Sequence, residues 1–234
     1  MAGGSGRRFG SLKQFESVAG RRVLDWSIGA ASSVGRVVAV VPAGPAVDEL
    51  TEPGAAFGAV RGEVPDAVRG ATATVAGGPT RSGSVRCGLA AVPADAEVVL
   101  VHDGARPLAD VGLFCRVVDA VRSGSAVVVP AVPVTDTLRD RSDGAVVDRD
   151  RLVAVQTPQG FDAGVLRRAH AGGGEATDDA ALAQEAGCQV TFVAGDPHNL
   201  KITTQDDLVM ASALLERRLA MAQDRPGATG PEQS

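Results

Sequence analysis

Short aliphatic runs alternate with longer amphipathic segments along most of this chain, and that alternation restricts it to an α/β architecture, a parallel sheet covered by helices on both faces. Val37–Val41, Thr72–Val75, Val98–Val101, Ala126–Val129 and Gln189–Val193 read as strands. Val23–Ser32, Ser84–Ala91, Val111–Arg122 and Ala180–Ala186 read as the helices of right-handed crossovers between them. A last helix is predicted from about Gln205 to Ala222, opened by the capping pair Thr204 and Asp207 and striped with Leu208, Ala211, Leu215 and Leu219. Only 3% of the residues are aromatic, so the core must be built from Val, Ala and Leu, which suits strands buried on both faces.

The 234 residues fit a single domain over residues 1–222, followed by a polar tail, 223–234, expected to be disordered. One segment interrupts the alternation. Between Asp136 and Gln159, charged residues surround two short apolar stretches, Ala145–Val147 and Leu152–Val155, with Asp143-Gly144 placed to turn the chain. We expect a β-hairpin arm protruding from the sheet over residues 136–159; an ordinary surface loop is the alternative.

With 23 Lys and Arg against 28 Asp and Glu, the formal charge of −5 lacks the basic footprint of a nucleic-acid binder, and no nucleic-acid partner is expected. Cys87, Cys115 and Cys188 match no zinc spacing and leave an odd thiol, which points to a reducing, cytoplasmic setting. His102, His170 and His198 are isolated, giving a catalytic triad or a histidine metal site little to draw on. No apolar run approaches the about 20 residues of a membrane span, and the first residues lack the apolar region of a signal peptide.

Three features carry chemistry. Ala2-Gly3-Gly4-Ser5-Gly6-Arg7-Arg8-Phe9-Gly10, with Lys13 after it, can close backbone N–H groups on phosphate oxygens and add cations, although it fits neither the dinucleotide nor the Walker pattern. Val98–Val101 runs into His102-Asp103-Gly104-Ala105-Arg106, an apolar strand ending at a carboxylate that could hold Mg²⁺ at the ligand-binding end of the sheet; a capped turn is the plainer alternative. Pro133–Thr137, Gln156–Phe161 and Thr177-Asp178-Asp179-Ala180 place small polar or acidic groups after apolar runs, with Thr177 suited to a helix N-cap, and Asn199-Leu200-Lys201 adds a cation.

In this order, and with Gly77, Gly78, Arg81, Ser84 and Val85 between them, these motifs closely resemble the 2-C-methyl-D-erythritol 4-phosphate cytidylyltransferases of the non-mevalonate isoprenoid pathway, from Ala2 to about Leu215. The resemblance implies a Rossmann-like three-layer α/β/α nucleotidyltransferase fold with a mostly parallel sheet. It implies transfer of CMP from CTP to 2-C-methyl-D-erythritol 4-phosphate, with Mg²⁺ bound and pyrophosphate released. It places Ala2, Gly3, Gly4, Gly6, Gly78, Ser84, Asp103 and Gly104 around CTP, Arg8, Lys13 and Lys201 on the phosphates as the catalytic cations, and Asp103 on the metal. Arg106, Thr137, Arg149 and Thr157 fall to the acceptor, Arg149 on an arm that in the family reaches across a homodimer.

Two departures stand out. The family's first, central strand is expected to be missing from this chain, with the translation start upstream, and Leu12 stands where the family has proline. The rival readings are a ribitol 5-phosphate cytidylyltransferase and a catalytically silent nucleotide-binding protein.

Overall fold

The computed structural model describes residues 13–42 and 71–223. Its first elements are β1 (Ser17–Val18), β2 (Arg21–Arg22), α1 (Val23–Ser32), β3 (Val37–Val41), β4 (Ala71–Ala76), α2 (Arg81–Ala90), β5 (Val98–Val101) and α3 (Val111–Arg122). Next come β6 (Val127–Pro133), β7 (Leu138–Arg139), β8 (Val146–Val147), β9 (Val153–Val155) and β10 (Gln159–Asp162). The chain continues through α4 (Ala163–Ala171), α5 (Asp179–Glu185), β11 (Val190–Ala194) and α6 (Gln205–Gln223).

The central sheet runs β11-β6-β10-β5, with β9 also paired to β6. β11 is parallel to β6, whereas β10 lies antiparallel to both β6 and β5, so β5, β6 and β11 point the same way. Period-two alternation sorts the side chains into layers. Val99, Val101, Val127, Val129 and Phe161 pack with Leu166 of α4, Ala180 and Ala183 of α5, and Val85 of α2. Val128, on the opposite face, meets Val117 and Val121 of α3. Close approach explains Gly160 in β10: a Cβ there would lie 2.4 Å from Val117 Cγ1.

The helices start where short polar side chains accept orphan N–H groups. Thr80 caps α2, Asp110 caps α3 and Asp162 caps α4. At α5 the cap is Asp178 rather than Thr177: Asp178 is extended and accepts from Ala181 N, so the helix begins one residue later than Thr177 would set it. Thr204 and Asp207 form the expected reciprocal pair at α6. Ala211 and Leu215 of α6 are buried with Val18, Leu108 and Ile202, but Leu219 is 41% exposed, so the apolar stripe ends a turn early.

Within the segment expected to form an arm, β7 and β8 pair as an antiparallel hairpin, Leu138 opposite Val147, with Gly144 at positive φ in the turn and Asp143 accepting from Ala145 N. β9 then returns to β6. Among the described residues β3 pairs only with β4, in parallel, and β5 only with β10. Between β3 and β5 lies an aliphatic cleft of about 550 Å³, lined by Ile28, Val38, Val40, Leu89, Leu100 and Phe114. The expected absence of a first strand, the glycine-rich loop and the end of the tail fall outside the described residues.

Candidate active site

β5 delivers Asp103 to the C-terminal end of the sheet, where α/β proteins place their ligands. Its backbone N–H donates to Thr157 Oγ1 at 3.0 Å. Thr157 Oγ1 is also 3.1 Å from His102 Nδ1, and His102 Nε2 is 3.3 Å from Arg106 O. One hydrogen assignment satisfies all three contacts: Thr157 donates its hydroxyl hydrogen to Nδ1 of a neutral imidazole, whose Nε2–H donates to Arg106 O. Burial agrees with neutrality, pushing the His102 pKa down to about 3. His102 is therefore a strut that fixes Thr157 and the turn after Asp103.

Two cations reach this turn, and a third is held beside them. Lys201 Nζ is 2.7 Å from Asp103 Oδ2, and Arg106 Nε is 3.9 Å from the same oxygen. Lys13 Nζ donates to Ile202 O at 2.6 Å, next to Lys201 in sequence. Burial alone would raise the Asp103 carboxyl, but the Lys201 ammonium, together with further positive charge that includes Arg81, more than offsets it and holds the group at about 2. The site thus keeps an ionised carboxylate at neutral pH. Arg106 Nη1 donates to Asn199 O, while its buried Nε has no hydrogen-bond partner. Gly104 O accepts from Ser27 of α1, which fixes the turn from below.

A polar frame holds the strand ends. Asn199 Nδ2 donates to Thr157 O at 3.0 Å and to Gln156 Oε1 at 3.3 Å, and Gln156 Nε2 donates to Asp196 O at 2.8 Å. Asn199 and Gln156 are buried. Sequence reasoning gave neither a role, although a buried glutamine and a buried asparagine must find hydrogen-bond partners.

Lys13, Asp103, Gly104, Arg106, Thr157 and Lys201 therefore meet at one strand end. Gly78 and Ser84 form a second bank. Ser84 Oγ is in hydrogen-bonding distance of Gly78 O (3.2 Å) and Thr80 O (2.8 Å), and a Cβ on Gly78 would lie 2.8 Å from the Gly83 carbonyl carbon. Thr137 and Arg149 are exposed on the hairpin segment, where Arg149 Nη1 donates to Thr135 O. Among the described residues no hydrogen bond or ion pair joins either of them to Asp103. Ala2, Gly3, Gly4, Gly6 and Arg8 lie outside the described residues.

Comparison with known proteins is consistent with this geometry. The family model for 2-C-methyl-D-erythritol 4-phosphate cytidylyltransferase (IspD) matches residues 1–217. A protein of that name from Rhodococcus opacus is 44% identical over 225 residues, covering 92% of each chain. A bifunctional IspD/IspF enzyme from Clavibacter michiganensis is 44% identical, and the chain spans 53% of that relative's length. The crystal structure of the Thermus thermophilus cytidylyltransferase superposes with a TM-score of 0.73 at 38% identity, covering 92% of this chain and 96% of that one.

Proposed function

The chain belongs to the 2-C-methyl-D-erythritol 4-phosphate cytidylyltransferase family, and from that premise we propose that it transfers CMP from CTP to 2-C-methyl-D-erythritol 4-phosphate, releasing pyrophosphate, in isoprenoid precursor synthesis. A phosphate oxygen of the acceptor attacks the α-phosphorus of CTP in line, the new P–O bond forms, and the bond to the bridging oxygen of pyrophosphate breaks. Such chemistry needs positioning and charge neutralisation rather than a protein nucleophile. The observation that supports the reading is the pairing of Lys201 and Arg106 with the ionised Asp103 at the end of β5, with Lys13 held on the neighbouring Ile202 O.

Lys13 and Lys201, with Arg8, take the catalytic role of stabilising charge on the α-phosphate. Ala2, Gly3, Gly4 and Gly6 wrap the triphosphate, Gly78 and Ser84 take the base, and Asp103 and Gly104 complete the CTP site. Arg106 and Thr157 face the acceptor. Among the described residues no group of three or more His, Cys, Asp or Glu side chains could hold a metal alone. One carboxylate ionised at neutral pH nevertheless suits Mg²⁺, which takes one or two carboxylates and completes its shell with water and phosphate oxygens. Asp103 would hold that ion, which supplies neutralisation of phosphate charge when bound.

A homodimer through the hairpin segment is part of this reading, with Thr137 and Arg149 serving the neighbouring site. Exposed Val146, Leu152, Val153 and Val155 on that segment support it, since clustered apolar side chains mark an interaction surface. Among the described residues no helix is long and apolar enough to cross a membrane; we place the enzyme in the cytoplasm. The test is pyrophosphate release with CTP, Mg²⁺ and either 2-C-methyl-D-erythritol 4-phosphate or ribitol 5-phosphate. Selective turnover of the first is expected; turnover of ribitol 5-phosphate alone, or of neither, overturns the assignment.

A further inference from the structure

The residues between α4 and α5 are fastened to the cap and first two turns of α2 by a set of polar contacts that the reaction does not explain. Thr80 Oγ1 and Arg86 Nη2 both donate to Glu175 Oε1, at 2.8 and 2.7 Å. Arg86 Nη1 donates to Gly174 O at 2.9 Å, and Ala176 N donates to Ser82 Oγ at 3.4 Å. Behind them Asp179, its side chain 0% exposed, receives Arg81 Nη2 at 2.7 Å on one oxygen and lies 3.0 Å from His170 Nε2 with the other. Burying the Asp179 end of this pair is costly, because desolvation consumes much of its attraction, even though the Arg81 side chain is 29% exposed. Its distinguishing property is a fixed orientation of the guanidinium.

The start of α2, which carries Arg81, also packs against the second bank of the site. The Gly77-Gly78 turn lies directly against the start of α2: a Cβ on Gly77 would sit 2.8 Å from Ser84 Oγ, and one on Gly78 would sit 2.8 Å from backbone of Gly83. No slack separates the turn from the helix start, so a displacement of residues 81–84 moves the turn with it. Arg81 also feels the charge of Asp103 on the opposite bank, and its Nη1 is buried without a hydrogen-bond partner.

We propose that Arg81 is a positioning residue for nucleotide binding, anchored by Asp179 and flanked by the Glu175 clasp, and that it sets the Gly77-Gly78 turn at the distance from Asp103 that the nucleotide requires. The proposal rests on the reading that this turn holds the base of CTP. It separates two quantities that a purely structural ion pair would not: affinity for CTP depends on it, while affinity for the acceptor does not.

The experiment compares wild type, Arg81→Met, Arg81→Lys and Glu175→Ala by steady-state pyrophosphate release, CTP titration calorimetry and thermal melting. Arg81→Met raises KM and Kd for CTP about ten- to a hundredfold, the range carried by one charged hydrogen bond, with kcat within about threefold and the acceptor KM unchanged. Arg81→Lys recovers part of the loss. Glu175 is exposed, so Glu175→Ala folds regardless and raises the CTP constants about threefold or more. Wild-type CTP constants in both Arg81→Met and Glu175→Ala overturn the proposal, however far the melting temperature falls; if Arg81→Met does not fold, Glu175→Ala decides. A wild type that binds CTP without turnover counts against the cytidylyltransferase reading alone, and the calorimetric constants still decide the role of Arg81.

Discussion

Replacing Lys201 by methionine removes the ammonium 2.7 Å from Asp103 Oδ2 and leaves a carboxylate, its side chain only 13% exposed, with the more distant Arg106 Nε at 3.9 Å on that oxygen. Pairing holds the Asp103 carboxyl at about 2, against 3.8 for the unperturbed group. That difference corresponds to about 2 kcal/mol of stability at neutral pH. Lys201 is 44% exposed, so solvent screens the pair, and about 1–2 kcal/mol is the coupling expected between the two residues. The sign follows from the depressed pKa: the contribution is complete above the ordinary carboxyl value and is lost as pH falls toward about 2. Roughly half should survive at pH 3. Urea unfolding of wild type, Lys201→Met, Asp103→Asn and the double variant, followed by circular dichroism at pH 7 and pH 3, gives the coupling directly. A coupling under about 0.3 kcal/mol at pH 7, or one that does not shrink at pH 3, refutes the pairing argument.

Activity and packing give further tests. Asp103→Asn and Lys13→Ala should each remain folded and lose about 10²–10³ in kcat for pyrophosphate release, as happens when one preorganised charge partner is removed; near-normal turnover in either would count against the site. Gly160→Ala brings a methyl within 2.4 Å of Val117 Cγ1 and should cost about 1–3 kcal/mol in urea unfolding, whereas the same change at the uncrowded Gly29 should cost nothing or stabilise α1. Asp207→Ala removes the side chain that accepts from Thr203 N and Thr204 N and should lower stability by about 1 kcal/mol, with turnover unaffected.

Periodicity made the aliphatic strands legible: Val37–Val41 and Val98–Val101 have the expected bounds, as do α1 and α3. β10 and α4 were not legible. Gln159–Asp162 carries a single large apolar residue, and its place between β6 and β5 is set by antiparallel pairing and by the fit of Gly160 under α3, neither of which is a local property. Ala163–Ala171 has two arginines and a histidine among its nine residues, and only Val165 and Leu166 mark its buried side. At the site, Asp103, Arg106, Thr157 and Lys201 were found as motif residues, but composition and spacing alone could not bring residues about a hundred positions apart to one oxygen. The framing role of Asn199 and Gln156, and the clasp from Glu175 to Thr80 and Arg86, became visible only once the strand ends were in place.

Among the described residues β3 and β4 share no backbone ladder with the five-stranded sheet, and that bears on how the molecule breathes. With no backbone ladder from β3 to β5 among the described residues, the pair hangs from α1 and α2 through side chains such as Val40, which fits against Gly88. Units held by fewer hydrogen bonds open at lower free energy than the body they lean on. Amides of β3 and β4 should therefore exchange with deuterium through local opening, while those of β5 and β6 wait for global unfolding. The Gly77-Gly78 turn leaves β4 and Asp103 leaves β5, so the two banks of the site ride on parts of unequal protection. A nucleotide spanning them would add a crosslink, and the slowing of exchange in β3 and β4 on CTP addition would measure how much cohesion the ligand supplies.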